Sequence, residues 1–354
     1  MDIIFNPPVN TENKYIDILV DQLKRQGYRV HALDDIFSSP KHFRAIKLVH
    51  LNWFENVDDS NFFLALSSFM RKIFVLAVIK VSKKKLVWTM HNRVSHEKRL
   101  SFFSRIITNL LVKYSDRIII HCEVSRTILL NRHAGSGEKI FYLPHPDFIG
   151  VYGSPHERAP GNRPPLPLRL LFVGAVKPYK NLELLIPAVG TFKEKVNLRI
   201  AGNPVTPAYR DKIHEMAADA KNVNLRLEFI QDAELPELIH QSDLLILPYD
   251  LESSLNSGTV ILAFSYRRSV ICPEIGTIAD LGPARQHVLH YNYGDPEEHL
   301  QKLTQTIQLA LDMKEADPSV FSSMGNELYA HVAVHHDKQR IGQRLAECYQ
   351  SLFD

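Results

Sequence analysis

One β-α-β unit near the middle of the chain constrains its fold more than any other segment. Residues 244–247 (Leu-Leu-Ile-Leu) form a short apolar run, a polar loop follows, and a second apolar run occupies 269–272. Runs of this kind mark strands buried on both faces of a parallel sheet. Between them the sequence turns apolar after Ser257-Gly258-Thr259, which predicts a helix opening on small residues. The first N–H groups of a helix lack internal partners and carry the positive end of its dipole, so such an opening suits a phosphate. Gly258 lets an anion approach the backbone, while Ser257 and Thr259 add hydroxyl donors. An ordinary Ser/Thr helix cap explains the same residues, and taken alone it is the simpler reading.

A second unit upstream shifts that balance. An apolar run over 170–173 leads into Gly174, a loop follows with Lys177 and Lys180, and an amphipathic helix comes next. Together the two blocks resemble the donor-binding domain of retaining glycosyltransferases of the GT-B fold, family 4-like. The resemblance covers roughly residues 168–300 well and the N-terminal half more loosely. It also takes in the strand-like run Arg199-Ile200-Ala201-Gly202-Asn203 and the segment from Gln231 to Pro248. It implies that Gly174 and Lys180 hold the diphosphate of a nucleotide-sugar donor, with Asn203, Glu252, Ser257, Gly258 and Thr259 supplying further donor contacts.

Two positions depart from the family pattern. Many members carry an Arg directly after the strand-end Gly; here Ala175 stands there, which leaves Lys177 as the second positive charge. Members also carry a Glu-x7-Glu pair whose second Glu binds the donor ribose. Leu262 occupies that second position and Ser254 the first, with Glu252 the nearest carboxylate. Donor binding is therefore expected to be non-standard, and a non-catalytic relative is one of the readings left open.

Alternating apolar runs and helical patterns elsewhere predict α/β architecture throughout, two Rossmann-like parallel-sheet domains facing a central cleft. In the first half the strands fall at 3–6, 29–32, 48–51, 86–89, 117–121 and 140–143, with a helix over 14–26. Residues 153–167 hold Gly153, Pro155, Pro160, Gly161, Pro164, Pro165 and Pro167, a composition no regular element tolerates. The expected organisation is an acceptor-binding domain over 1–152, a linker over 153–167, a donor-binding domain over 168–336, and a final helix within 337–354 that crosses back to the first domain.

Ligands of open α/β sheets bind beyond the C-terminal ends of the strands, so the loops there supply the remaining candidates. The first strand is followed by Asn6 and Asn10, and the third by Trp53, placed to stack on a sugar ring. After the fourth come His91, Asn92, Arg93 and His96. The family resemblance puts His91 beside the transferred sugar as the candidate catalytic residue. A Pro-bearing turn with Asn caps and a half-buried packing Trp are the equal alternatives for the first two loops. No Cys/His cluster or paired carboxylate on a strand end calls for a metal; Asp34-Asp35 and Asp58-Asp59 lie in loop-like surroundings. Neither GxGxxG after a strand nor GxxxxGK[ST] occurs, which argues against a dinucleotide oxidoreductase or a P-loop ATPase.

Charge is distributed unevenly. Residues 1–150 carry 22 Lys and Arg against 14 Asp and Glu, whereas the remainder carries 20 against 25. Within 61–113 eleven basic residues accompany a single acid, Glu97, around a strongly apolar stretch. Such a segment suits a helix lying on an anionic membrane surface. A buried core helix with a solvated basic tip fits the same composition, and no nucleic-acid reader motif is present. Three scattered cysteines suit a reducing cytoplasm, and no apolar run is long and uninterrupted enough for a membrane span. The expectation is a cytoplasmic, membrane-peripheral hexosyltransferase that uses a nucleotide-diphosphate sugar without a metal cofactor. It would act, with retention of configuration, on a glycan or lipid-linked glycan in surface polysaccharide assembly. A sugar-nucleotide epimerase or hydrolase of the same fold, and a non-catalytic partner subunit, are the alternatives.

Overall fold

The computed structural model describes residues 1–10, 14–57, 61–92, 101–155 and 166–354. The chain divides into two compact units, Met1–Pro146 with Asp337–Asp354, and Asp147–His336. Residues 147–152, placed in the first domain on sequence, group with the second unit because their backbone is anchored there. Phe148 N–H donates to Ser265 Oγ, and Tyr152 N–H to the Tyr266 hydroxyl. Residues 156–165 of the proposed linker lie outside the described residues.

Each unit is built on a six-stranded parallel sheet. In the first, β1 (Asp2–Asn6), β2 (Arg29–His31), β3 (Ile46–Asn52), β4 (Lys85–Met90), β5 (Arg117–Ile120) and β6 (Ile140–Tyr142) are ordered β2-β1-β3-β4-β5-β6. The near-continuous burial of β1, β3 and β4 accounts for the apolar runs that announce them. Helix Tyr15–Arg25 presents Ile16, Leu19 and Leu23 to the sheet and stops before Gly27, whose φ of 83° suits a glycine. The chain returns at its end to complete this unit. Helix Lys338–Gln350 packs Ile341, Leu345 and Tyr349 into the same core, so close that a Cβ on Gly342 would lie 2.3 Å from Gln22 Cβ. Buried His50 joins the Tyr349 hydroxyl to Thr89, and the Tyr28 hydroxyl donates to Ala346 O.

In the second unit, β7 (Leu168–Val173), β8 (Val196–Ala201), β9 (Val223–Arg226), β10 (Leu244–Ile246), β11 (Ser269–Pro273) and β12 (Leu289–Tyr291) are ordered β12-β11-β10-β7-β8-β9. Helix Gly258–Ser265 begins where expected, with Ser257 as its cap accepting from Val260 N–H at 3.2 Å. At the N-terminal edge of the sheet Asp243 and Lys314 form a pair of which each side chain is only 1% exposed. Asp243 Oδ2 also accepts from Arg169 N–H, and Lys314 Nζ donates to Pro167 O, so one ion pair ties β7, β10 and helix Pro296–Ala316 together.

Removing one member of a buried pair strands the other charge without water, at a cost of about 3–5 kcal/mol. Lys314→Ala should therefore lower the unfolding free energy by that order in a denaturant titration. The double change Lys314→Met with Asp243→Leu should cost clearly less than the single one. Equal losses would mean that the pair is not what holds these three elements.

Candidate functional site

Strand order reverses between β7 and β10 in the second sheet and between β1 and β3 in the first. At such reversals the connections leave in opposite directions and open a crevice beyond the strand ends. The candidate residues fall at both reversals, and each is described within its own unit.

In the second unit, β7 runs into Gly174 at φ 129° and β8 into Gly202 at φ 149°, conformations that side chains rarely adopt. A Cβ on Gly202 would stand 1.8 Å from Gly174 O, so only glycine allows the two strand ends to pass. Gly174 is left exposed, its own Cβ direction facing Thr259 Oγ1 at 3.9 Å across the start of helix Gly258–Ser265. Lys180 closes a 3-10 turn (Pro178–Lys180) held by Asn181, which takes the left-handed conformation and donates to Pro248 O. Its ammonium lies 4.0 Å from the centroid of the Tyr249 ring, and the Tyr249 hydroxyl hydrogen-bonds Ser257 Oγ at 2.8 Å. Removal from water, with Lys177 nearby, brings the Lys180 amine down to about 7, while burial pushes the Cys272 thiol beneath it upward.

Gly174, Lys180, Ser257, Gly258 and Thr259 thus share one strand-end region. Lys177 and Asn203 border it, Val176 N–H donating to Asn203 O at 3.0 Å. Glu252 stands apart on the exposed loop after β10, where Asp250 organises the turn through Glu252 N–H and the Ser253 hydroxyl. Leu262 is buried in its helix. Gly202 lay in the strand-like run that the family resemblance took in, whereas Tyr249, Asn181 and Asp250 escaped the sequence reading. Of these only Asp250, followed by Ser253, carried a local signal, that of a side-chain-stabilised turn.

In the first unit His91 leaves β4 and stacks on Trp53, ring centroids 4.1 Å apart at 18°. Asn52 Nδ2 donates to Asn6 O, which fixes the amide and makes Asn52 Oδ1 the acceptor of His91 Nε2–H at 3.0 Å. Tyr15 meets His91 edge-on at 5.3 Å and gives its hydroxyl proton to His121 Nε2 at 2.8 Å. His121 must then carry its own proton on Nδ1, bonded to Leu143 O at 2.7 Å. His145 stands beside Tyr15 and His121. Tyr15, Asn52, His121 and His145 went unread because four segments distant in sequence bring them to His91. Asn10 lies to one side, its N–H on Asp17, and Asn92 directly follows His91. Arg93 and His96 lie outside the described residues, as do Asp58 and Asp59.

Burial, reinforced by neighbouring imidazoles, keeps His91 neutral, its pKa well below the usual 6.5. Burial alone lowers His121 to about 4 and, with His121 nearby, His50 to about 3. This region therefore offers a stacked aromatic platform and neutral hydrogen-bonding rings. Among the described residues no three His, Cys, Asp or Glu side chains converge to hold a metal ion. Asp34 is exposed and pairs with Arg71.

Comparison with known proteins agrees with this layout. Residues 167–308 match the family described as Glycosyl transferases group 1. Over 109 residues the chain is 34% identical to the GDP-mannose:glycolipid 4-beta-D-mannosyltransferase of Xanthomonas campestris pv. campestris, which covers 30% of this chain. The matched stretch spans about a third of that relative's length, 31%. Among solved structures, the sucrose-phosphate synthase of Thermosynechococcus elongatus superposes with a TM-score of 0.75 at 15% identity, covering 100% of this chain and 99% of its own. Anabaena HepE, solved in complex with UDP-glucose, gives 0.70 at 15% identity over 99% and 100%. The fold is GT-B.

The imidazoles also set a pH dependence. In the unfolded chain His50, His91 and His121 bind protons near pH 6.5, whereas folded His50 and His121 do so only near 3 and 4. Their contribution to stability is thus complete above pH 6.5 and is lost as pH falls towards those values, because the unfolded state takes up the protons. The ring Hε1 resonances of these histidines should hold neutral-imidazole shifts down to about pH 5 in NMR titration. Titration midpoints near 6.5 would contradict the burial described above.

Proposed function

We propose that this protein is a hexosyltransferase that moves a sugar from a nucleotide-diphosphate donor to a glycolipid or other glycan acceptor. The observation that carries this reading is the convergence of the bare Gly174 strand end, the Lys180 ammonium and the Ser257–Thr259 helix start at one strand-order reversal. Together they form a cradle for a diphosphate leaving group, neutralised by one lysine, backbone N–H groups and hydroxyls. The family match over 167–308 and the glycolipid mannosyltransferase relative support it, and they make GDP-mannose the first donor to test. We infer that the reaction needs no metal, because these groups supply the positive charge.

We also infer retention of configuration. Inversion requires a base with a pKa near the working pH, and His91 is held far below that. In this reading His91 and Trp53 orient the sugar, and the departing phosphate assists the incoming hydroxyl on the same face. The β-linkage in the relative's name favours the opposite outcome, which the anomeric coupling of the product distinguishes.

Loss of Lys180 removes a contact to charge that develops on the leaving group. Lys180→Ala should slow transfer by about 2–4 kcal/mol of transition-state stabilisation, two to three orders of magnitude. Because burial brings the Lys180 amine down to about 7, donor binding should draw in a proton. Affinity for an intact nucleotide sugar should be flat below that pH and fall above it, with proton uptake visible by calorimetry in two buffers. Near-normal transfer by the variant would end the phosphate assignment. Full-rate consumption of donor without acceptor would point instead to a hydrolase or epimerase. Absence of any nucleotide-sugar binding would point to a non-catalytic subunit, the reading that Leu262 favours.

The acceptor side of the proposal is a membrane surface at the inner face of the cytoplasmic membrane. Helix Phe62–Val81 has a mean hydropathy of 2.0 over its most apolar window yet only 22% of that window is buried. Phe63 is 81% exposed, Phe74 58% and Met70 56%. The helix connects the adjacent strands β3 and β4, with Ala65, Val75, Leu76 and Ile79 buried, so it lies along its sheet and offers its outer face to lipid. Of the basic residues within 61–113, two just beyond the end of this helix are engaged by the fold. Lys84 Nζ donates to Phe43 O and Ile46 O, and Lys85 pairs with Asp116 at 3.7 Å.

Vesicle binding should therefore rest mainly on apolar insertion and survive a rise in salt. Phe63→Asp with Phe74→Asp should weaken partitioning at least a hundredfold, since burying each ring is worth about 1.5–3 kcal/mol. Complete release by salt, or equal binding by the double variant, would remove this helix from the membrane contact.

A further inference from the structure

The second unit carries a polar groove at the end of its sheet opposite Gly174. It is lined by Arg169, Leu171, Asn197, Arg199, Gln241 and Ser242 and encloses about 450 Å³, in the range of small-molecule sites. Its origin is topological. The crossover from β9 back to β10 contains only the short helix Leu235–Gln241, and that helix packs over β7. The same face of β8 is left open, and its outward residues, Asn197 and Arg199, are half-buried and polar where a covered strand would be apolar.

Register places the basic residues together. Arg169 pairs with Asn197 and Leu171 with Arg199 across β7 and β8, so both arginines project from one face on either side of Asn197. Arg199 donates to Gln241 Oε1 at 2.9 Å, and among the described residues neither guanidinium meets a carboxylate. The nearby acids are committed elsewhere: Asp243 to Lys314, Glu237 to Gln241 Nε2, and Glu228 and Glu234 to Arg226. Two half-buried guanidinium forks that meet no carboxylate among the described residues, separated by an amide, form a receptor for a multivalent oxyanion, which each fork can grip through paired N–H donors.

We propose that this groove is a second anion site, binding a phosphate-bearing small molecule of sugar-phosphate size. It is distinct from the donor cradle. Gly174 lies five residue steps beyond Arg169, about 16 Å along a strand. The inference does not depend on the transferase reading.

Inorganic pyrophosphate is a suitable probe, titrated by calorimetry into the wild type, Lys180→Ala, and Arg169→Gln with Arg199→Gln. The arginine pair variant should lose one class of sites, at least tenfold in affinity, while Lys180→Ala keeps it. Phenylglyoxal modification of the wild type provides an arm that needs no variant. Both arginines should react in the free protein and be protected by pyrophosphate, as read by mass spectrometry of peptides spanning 167–171 and 196–200. Binding by the arginine pair variant that superimposes on the wild type, or modification of both arginines unaffected by pyrophosphate, overturns the proposal.

Discussion

Everything at the second unit's site depends on two strand ends passing each other without side chains. Gly202 can lie against the Gly174 carbonyl only because it has no Cβ, and Gly174, at φ 129°, presents bare backbone beside it. The reversal of strand order at β7 and β10 then supplies the opposite wall, the start of helix Gly258–Ser265. Lysine, tyrosine and serine are threaded onto this frame as Lys180, Tyr249 and Ser257, through one cation–ring contact and one hydrogen bond. This region is formed from backbone geometry first and side chains second.

The strands of the first unit were legible in the sequence nearly to the residue, whereas β9 and β12 of the second were not read. The first helix was legible too, because strands buried on both faces must be apolar throughout and helices close with glycine. The grouping of Gly174, Lys180 and Ser257–Thr259 was legible for a related reason: they follow apolar runs, where a parallel sheet exposes its ends. The surroundings of His91 were not. Tyr15 comes from the first helix, Asn52 from β3 and His121 from the end of β5, and no local pattern announces that they meet. Composition misled at Lys84 and Lys85, since a run of charges says nothing about the carbonyls and the carboxylate that the fold brings to them.

The two units solve the burial of polar groups differently. In the first, neutral imidazoles are satisfied in chains, Tyr15 to His121 to Leu143 O and Tyr349 to His50 to Thr89, so these rings bring no charge into the core. In the second, formal charges are buried and compensated: Lys314 by Asp243, and Arg268 by the carbonyls of Ile239, Ser242, Arg267 and His240. Buried charges of that kind fix register strongly, because any slip leaves one of them unpaired.

One feature of the first unit bears on how the chain is made. Its core is closed by Ile341, Leu345 and Tyr349, while the whole of Asp147–His336 intervenes in sequence. As the polypeptide leaves the ribosome, residues 1–146 emerge with one face of helix Tyr15–Arg25 and the Tyr28 and His50 partners still missing. The second unit is contiguous and can close its sheet while the first is waiting. Maturation therefore runs against the numbering: the half synthesised first is the half finished last, and it stays dependent on nascent-chain protection until the final helix arrives.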